Sequence, residues 1–407
     1  MTGFFSGQPS SEEIRDEVRG FQSWLEVDLD AIGHNLEEVR RKTGVEVVPC
    51  VKTDGYGHGI VPVAAYLTER GVERVLVAKL HEALRIREAG LTCGIISMDP
   101  LYTMKQFKTV VEEDITHTVY QMRAAEMLSQ AAHELGGEAN IWVKVDTGLG
   151  RVGVRQMDAP DLIEDVVGLP GLRLEGIFST LSEDDELDRR QVERLLQVEE
   201  ELRRRGIDPG TRSIASSNAV FHKPYAYLDA FRPGLMLMGL YPEPGDRGKG
   251  IELRQALSLK ARLEHVKTVQ EGEPLTYSSR FTAPGRMRVG TVHVGYSDGY
   301  PRGLTGKGVV RVKGREKQVL GTVSINHFLV DLDGVDAEAG DVVEAIGRSG
   351  SNSGERVAES AGIMTYKLCV GLNPLTPRVY MEDGEPVALS KPELVESRYP
   401  RFKSENA

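Results

Sequence analysis

The sequence predicts an α/β barrel followed by an all-β domain. Two observations carry this. Over residues 45–240, short apolar runs alternate with longer stretches of helical character, the pattern of a parallel barrel. After a Pro/Gly-rich break at residues 241–250, the chain becomes a series of alternating and β-branched runs joined by short turns, the pattern of an antiparallel sheet.

Eight strand-like runs make the barrel argument: residues 45–51, 75–78, 94–98, 115–119, 141–145, 172–178, 212–216 and 235–237. The first of them, residues 45–51, reads as a parallel strand buried on both faces. One intervening helix is legible at residues 80–90, with apolar residues at helical spacing and a terminal Gly90. The β domain is read from residues 257–269, 287–296, 308–312, 318–331 and 342–346, with a turn at Lys313-Gly314-Arg315-Glu316. The expected organisation is an N-terminal extension (1–23), a (βα)8 TIM-type barrel (24–246), a C-terminal β-barrel-like domain (247–389) and a polar tail (390–407).

Composition bounds the function. A chain of 407 residues with 40% hydrophobic content supports two cores. No apolar run reaches membrane-spanning length, and the first twenty residues lack the basic and apolar regions of a secretory signal. A net charge of -11 argues against a nucleic-acid binder. Cys50, Cys93 and Cys369 are odd in number and far apart, which suits free thiols in a reducing, cytoplasmic setting. The nine histidines form no HExxH and no Cys-x-x-Cys occurs, so no metal site is expected.

The candidate chemistry begins at Lys52. It follows the first apolar run and precedes Gly55, Gly57 and Gly59, so it belongs at the C-terminal end of a barrel strand, where ligands are handled. A partly desolvated lysine there can act as a nucleophilic amine. A solvated lysine is the commoner outcome, so the assignment depends on the rest of the chain. Lys144 and Arg151 flank Asp146 after the fifth run, either neutralising it or serving a ligand. Ser217 and Asn218 follow the seventh run, as a helix cap or a phosphate contact. Arg232 precedes Gly234 and Leu235, whose N–H groups can approach a phosphate.

Lys52, with Tyr56 four residues on and then Gly57-His58-Gly59, resembles the cofactor-lysine motif of the alanine racemase family. Gly295-Tyr296-Ser297-Asp298-Gly299-Tyr300 is similar to the family's second hallmark, and the resemblance covers residues 24–380. It implies a pyridoxal 5'-phosphate-dependent amino-acid racemase, with alanine or a related amino acid as the small-molecule substrate. It gives Lys52 the cofactor and one catalytic base, and Tyr296 the second base, reaching the partner's site in a homodimer. It gives Tyr56 and Tyr380 to the cofactor phosphate, Arg151 to the phenolic oxygen and substrate carboxylate, and Arg232 to the pyridine nitrogen. Lys144 matches a lysine often carbamylated in the family.

Three departures stand out. Thr180 occupies the place of a ring-stacking His. Ile325-Asn326 stands where the family has Met-Asp on the substrate side, and Ser217-Asn218 reverses the usual Asn-Ser order. They leave two alternatives on the same scaffold: a different pyridoxal reaction, of decarboxylation or aldol type, or a cofactor-binding homologue without racemase activity.

Overall fold

The structure, a computed structural model, describes residues 3–391; most of the expected polar tail lies outside the described residues. The first ten strands are β1 (Ser23–Asp28), β2 (Glu46–Val47), β3 (Arg74–Val77), β4 (Gly94–Ser97), β5 (Thr116–Val119), β6 (Ala139–Asp146), β7 (Val154–Arg155), β8 (Leu172–Phe178), β9 (Thr211–Ser213) and β10 (Ala230–Phe231). Strands β3, β4, β5, β6, β8 and β9 pair in parallel in that order, and β10 pairs in parallel with β2. Backbone bonds close the ring. Leu76 N donates to Pro49 O at 2.8 Å on one side, and Arg232 N to Ala215 O at 3.1 Å on the other. The expected eight-stranded barrel is therefore present, with β7 attached beyond the end of β6.

Two cores explain why the strands read as continuous apolar runs. Val48, Leu76, Ile96, Trp142, Phe178 and Ala230 form a separate cluster inside the barrel. Their alternating neighbours, such as Val47, Val75, Ile95, Val143 and Ile177, pack outward in the main core with the helices. Side chains alternate with period two along a strand, so a strand covered on both faces is apolar throughout. Local signals fix the helix ends. Asp28 caps helix Leu29–Thr43 by accepting from Ala31 N at 2.9 Å, and Gly44 ends it at φ 66°. The expected helix near residue 80 spans Leu80–Glu88.

One expected strand is displaced. Residues 235–237 form a 3-10 turn, Leu235–Met238, and the eighth strand lies earlier, at β10. Pro233 cannot donate to a ladder, and the buried turn packs against helix Leu29–Thr43, where Asn35 Nδ2 donates to Leu237 O at 3.0 Å. A short apolar run reads the same as a buried turn or strand.

The second half contains β11 (Leu257–Val269), β12 (Pro274–Leu275), β13 (Phe281–Thr282), β14 (Met287–Val292), β15 (Val309–Val312), β16 (Arg315–Leu320), β17 (Phe328–Asp331), β18 (Val342–Ile346), β19 (Arg378–Glu382) and β20 (Glu385–Ser390). The order β11-β14-β17-β16-β15-β18 returns to β11 and closes an antiparallel barrel. The thirteen-residue β11 also pairs with β1, which pairs in parallel with β19. Thus β1, placed by sequence at the start of the (βα)8 barrel, belongs to the sheet of the β domain. The next-to-last strand among the described residues, β19, runs beside it, with β20 at the edge.

Candidate active site

Lys52 opens the turn Lys52–Tyr56 after β2. Thr53, Asp54, Gly55 and Tyr56 follow with φ of 57°, 54°, 61° and 52°. Residues with a Cβ enter this left-handed region only at a cost, so the surroundings must hold the turn. The buried Glu82 carboxylate accepts the Thr53 N–H at 2.5 Å, and those of Ala78 and Lys79 at 3.0 and 3.1 Å. Asp54 accepts from Ile60 N at 3.1 Å and from Arg85 at 2.9 Å. From β19, the buried Arg378 donates to Gly57 O at 2.9 Å.

Beyond the turn lies a cradle of small groups and phenols. Ser217 Oγ accepts the Gly234 N–H at 3.0 Å. A Cβ on Gly234 would stand 2.3 Å from Tyr56 Oη, and one on Gly59, at φ +94°, would stand 1.9 Å from Tyr380 Oη. Among the described residues, Tyr56 Oη donates only to Cys50 Sγ, at 3.7 Å, and the buried Tyr380 Oη has no hydrogen-bond partner. Burial pushes both phenols far above their ordinary range, so both keep the O–H that a phosphate oxygen accepts. Leu235 opens the buried 3-10 turn behind Gly234. Asn218 lies next to Ser217 but makes no cap bond to the short helix it precedes.

The barrel mouth is cationic. Arg232 is 7% exposed, donates to Ser213 Oγ and to Ser179 O (2.6 Å), and lies 5.1 Å above the Phe178 ring. Among the described residues no carboxylate pairs with it. Burial lowers its pKa to about 10, which leaves it charged at neutral pH. Lys144 is 5% exposed, donates to Thr180 Oγ1 at 2.9 Å and sits 4.4 Å from the Phe178 ring centroid. Burial, then Arg232 and Arg151, pull its pKa down to about 7, with Asp146 opposing and Lys52 adding to the fall. Asp146 Oδ1 accepts from Gly148 N and Gly150 N at 3.0 and 3.1 Å, shaping the turn that carries the exposed Arg151.

Tyr296, Ile325 and Asn326 form a second patch. Tyr296 is 42% and Ile325 53% exposed. Tyr296 N donates to Ser324 O at 3.1 Å, Ser297 N to Ile325 O at 3.0 Å, and Asn326 Nδ2 to Ser297 Oγ at 3.0 Å. Among the described residues, none of the three bonds to the Lys52 turn of its own chain. The sequence thus brings together two groups: the barrel set with Tyr380, and an exposed set on the β domain.

Sequence reasoning missed Glu82, Ser179, Ser213 and Arg378. Glu82 sits three residues into a helix that was legible, but nothing local signals that its carboxylate is buried against Thr53. The two serines lie at strand ends with no motif. Arg378 precedes Tyr380 by two residues, and its role depends on Gly57, 321 positions away.

Comparisons with known proteins agree with this geometry. The family model for the alanine racemase N-terminal domain matches residues 27–242, and that for the C-terminal domain matches residues 256–380. A protein named alanine racemase from Desulforamulus reducens is 38% identical over 368 residues, covering 88% of this chain and 98% of that protein. Alanine racemase 2 of Caldanaerobacter subterraneus is 34% identical over 381 residues, covering 91% and 97%. Among solved structures, an alanine racemase of Clostridium difficile superposes with a TM-score of 0.86 at 28% identity, covering 91% of this chain and 98% of that one.

Proposed function

The chain belongs to the alanine racemase family, and on that premise we propose that it interconverts L- and D-alanine with pyridoxal 5'-phosphate bound at Lys52. One observation carries the cofactor reading. Arg232, Arg151 and Lys52 all lie close enough to Lys144 to act on its charge, with Asp146 opposing them, in a chain whose net charge is -11. Such a cluster suits an anionic, aromatic ligand, and the cradle beside it offers O–H and N–H donors to a phosphate.

When bound, the cofactor supplies an aldehyde for an amine and a conjugated ring that takes up the electron pair left at the substrate α-carbon. The chain's own residues do the rest. Tyr56, Ser217, the Gly234–Leu235 backbone and Tyr380 would hold the phosphate, with Asn218 flanking it. Arg232 would face the ring nitrogen as a hydrogen-bond donor, because guanidinium keeps its proton. Arg151 holds the substrate carboxylate. Lys144, with its lowered pKa, offers a free amine. That amine adds carbon dioxide to give a carbamate and one released proton. The resulting anion orients Arg151.

Inversion needs a base on each face of the α-carbon. Lys52 moves the proton on one face. Tyr296, exposed and, among the described residues, not bonded to the Lys52 turn of its own chain, serves the other face in a partner subunit, with Ile325 and Asn326 beside it. The working unit is a homodimer. Among the described residues no helix is long and apolar enough to cross a membrane, and the three cysteines are buried and free; these features fit an enzyme of the cytoplasm.

The test is chiral analysis of either alanine enantiomer incubated with purified protein in deuterated water. The expected result is approach to equal enantiomers, with deuterium at the α-carbon of the product. Carbon dioxide or aldehyde release without racemisation would overturn the reading.

A further inference from the structure

Strands β11, β14 and β17 lie side by side. Val292 of β14 pairs with Leu263 on one side and Phe328 on the other. The register of β11 slips between Leu263 and His265, leaving Glu264 as the extra residue of a bulge. Bulges re-aim side chains. His293 follows Val292 directly, and His327 precedes Phe328. Glu264, His293 and His327 therefore meet at one level of three adjacent strands. Glu264 Oε2 is 2.7 Å from His327 Nε2 and 3.1 Å from His293 Nδ1, and the two rings meet edge-on with centroids 4.8 Å apart.

We propose that Glu264, His293 and His327 form a zinc-binding site on the β domain, with two imidazole nitrogens and one carboxylate oxygen as ligands and the fourth position open to water. The three ligand atoms lie within 4.8 Å of one another. Tetrahedral zinc with bonds of about 2.0–2.2 Å holds its ligand atoms roughly 3.3 Å apart; the two Glu264–histidine distances of 2.7 and 3.1 Å already lie near that spacing, and rotation of the partly exposed imidazoles brings their nitrogens to it. Two imidazoles and a carboxylate favour zinc over the oxygen-seeking magnesium and calcium. The three side chains are 37–51% exposed, which gives the ion a way in. Positions 264, 293 and 327 carry no metal spacing in the sequence; only the bulge and the strand order join them.

The site borders the loop of the proposed second base. Ser324 and His327 close a tight turn, with Ser324 N donating to His327 O at 2.8 Å, and Ser324 O accepts the Tyr296 N–H at 3.1 Å. Zinc on His327 fastens the turn that positions Tyr296, so that part of the inference rests on the racemase reading. The binding itself does not.

The experiment titrates zinc into chelator-stripped holoenzyme against a chromophoric chelator. One zinc per chain is expected. His293→Ala and His327→Ala should each weaken binding by about tenfold or more, and His265→Ala, one residue from Glu264 but outside the cluster, should leave it unchanged. Melting curves in excess chelator should match for all variants, and zinc should raise Tm in the wild type but not in the double variant His293→Ala/His327→Ala. Equal zinc uptake by wild type and double variant, or an equal loss in His265→Ala, overturns the proposal. Racemase assays on the same samples read the first reading separately.

Discussion

Lys144 Nζ donates a 2.9 Å hydrogen bond to Thr180 Oγ1, joining the C-terminal end of β6 to the residue two beyond β8. The resemblance to the alanine racemase family implies a ring-stacking histidine at that position; in this chain the threonine hydroxyl serves the buried lysine.

The first prediction follows from the lysine's pKa of about 7, against an ordinary 10.5. Between those values the unfolded chain holds a proton that the folded chain has lost. Stability of protein stripped of carbon dioxide should therefore rise with pH across this window, and Lys144→Met should flatten the rise. Denaturant midpoints between pH 7 and 10 measure it. Labelled bicarbonate should give a carbamate carbon resonance in wild type that is missing in Lys144→Met; its absence from wild type would refute the carbamate.

A second prediction concerns the two bases. Borohydride should fix the cofactor to Lys52, and labelling of any other lysine refutes that assignment. Lys52→Ala and Tyr296→Phe should each lower kcat by about 10²–10⁴-fold, the usual worth of a positioned acid or base. Mixing the two inactive proteins should restore activity, up to one intact site per heterodimer. No recovery after verified subunit exchange would count against a shared site.

Gly59 provides a third. Its φ of +94° and the 1.9 Å approach of Tyr380 Oη to a Cβ leave no room for alanine. Gly59→Ala should cost at least about 1–3 kcal/mol from the backbone conformation alone, read as a loss of Tm. Adding Tyr380→Phe removes the hydroxyl but not the backbone strain, so it should recover stability in part. Full recovery would show that φ is not the constraint.

The fourth concerns acid. Burial holds His58 and His117 at a pKa of about 4, against an ordinary 6.5. Between these values the unfolded chain binds protons that the folded chain refuses. Stability due to these groups is full above about pH 6.5 and is lost as pH falls towards 4. Unfolding should take up protons in this window, and His117→Asn should reduce the uptake by about one per chain. Calorimetry in buffers of different ionisation enthalpy reads the number directly.

Much of the barrel was legible where strands are covered on both faces: residues 141–145, read as one apolar run, are buried throughout and lie within β6. The run at 235–237 misled because a buried 3-10 turn needs the same side chains as a buried strand. Strand β1 was missed for a different reason. Six residues pair with β11 and β19, more than two hundred positions away, and nothing local announces such partners. The site divides the same way. Lys52, Tyr56, Arg151, Arg232 and Tyr296 lie in motifs that can be read along the chain, whereas Glu82, Arg378 and the Glu264–His293–His327 cluster exist only once strands and helices have been placed.

The left-handed turn at Thr53–Tyr56 has a consequence for synthesis. Its supports arrive at very different times: Glu82 about thirty residues after Lys52, Arg378 and Tyr380 more than three hundred after it. Domains form in the order they leave the ribosome, so the barrel can assemble before the last restraint on the Lys52 turn has been made. A chain broken off short of β19 lacks Arg378 and Tyr380, and with them the bond to Gly57 O that steadies that turn. On the proposed function, such an unfinished chain is missing part of the support of its cofactor lysine.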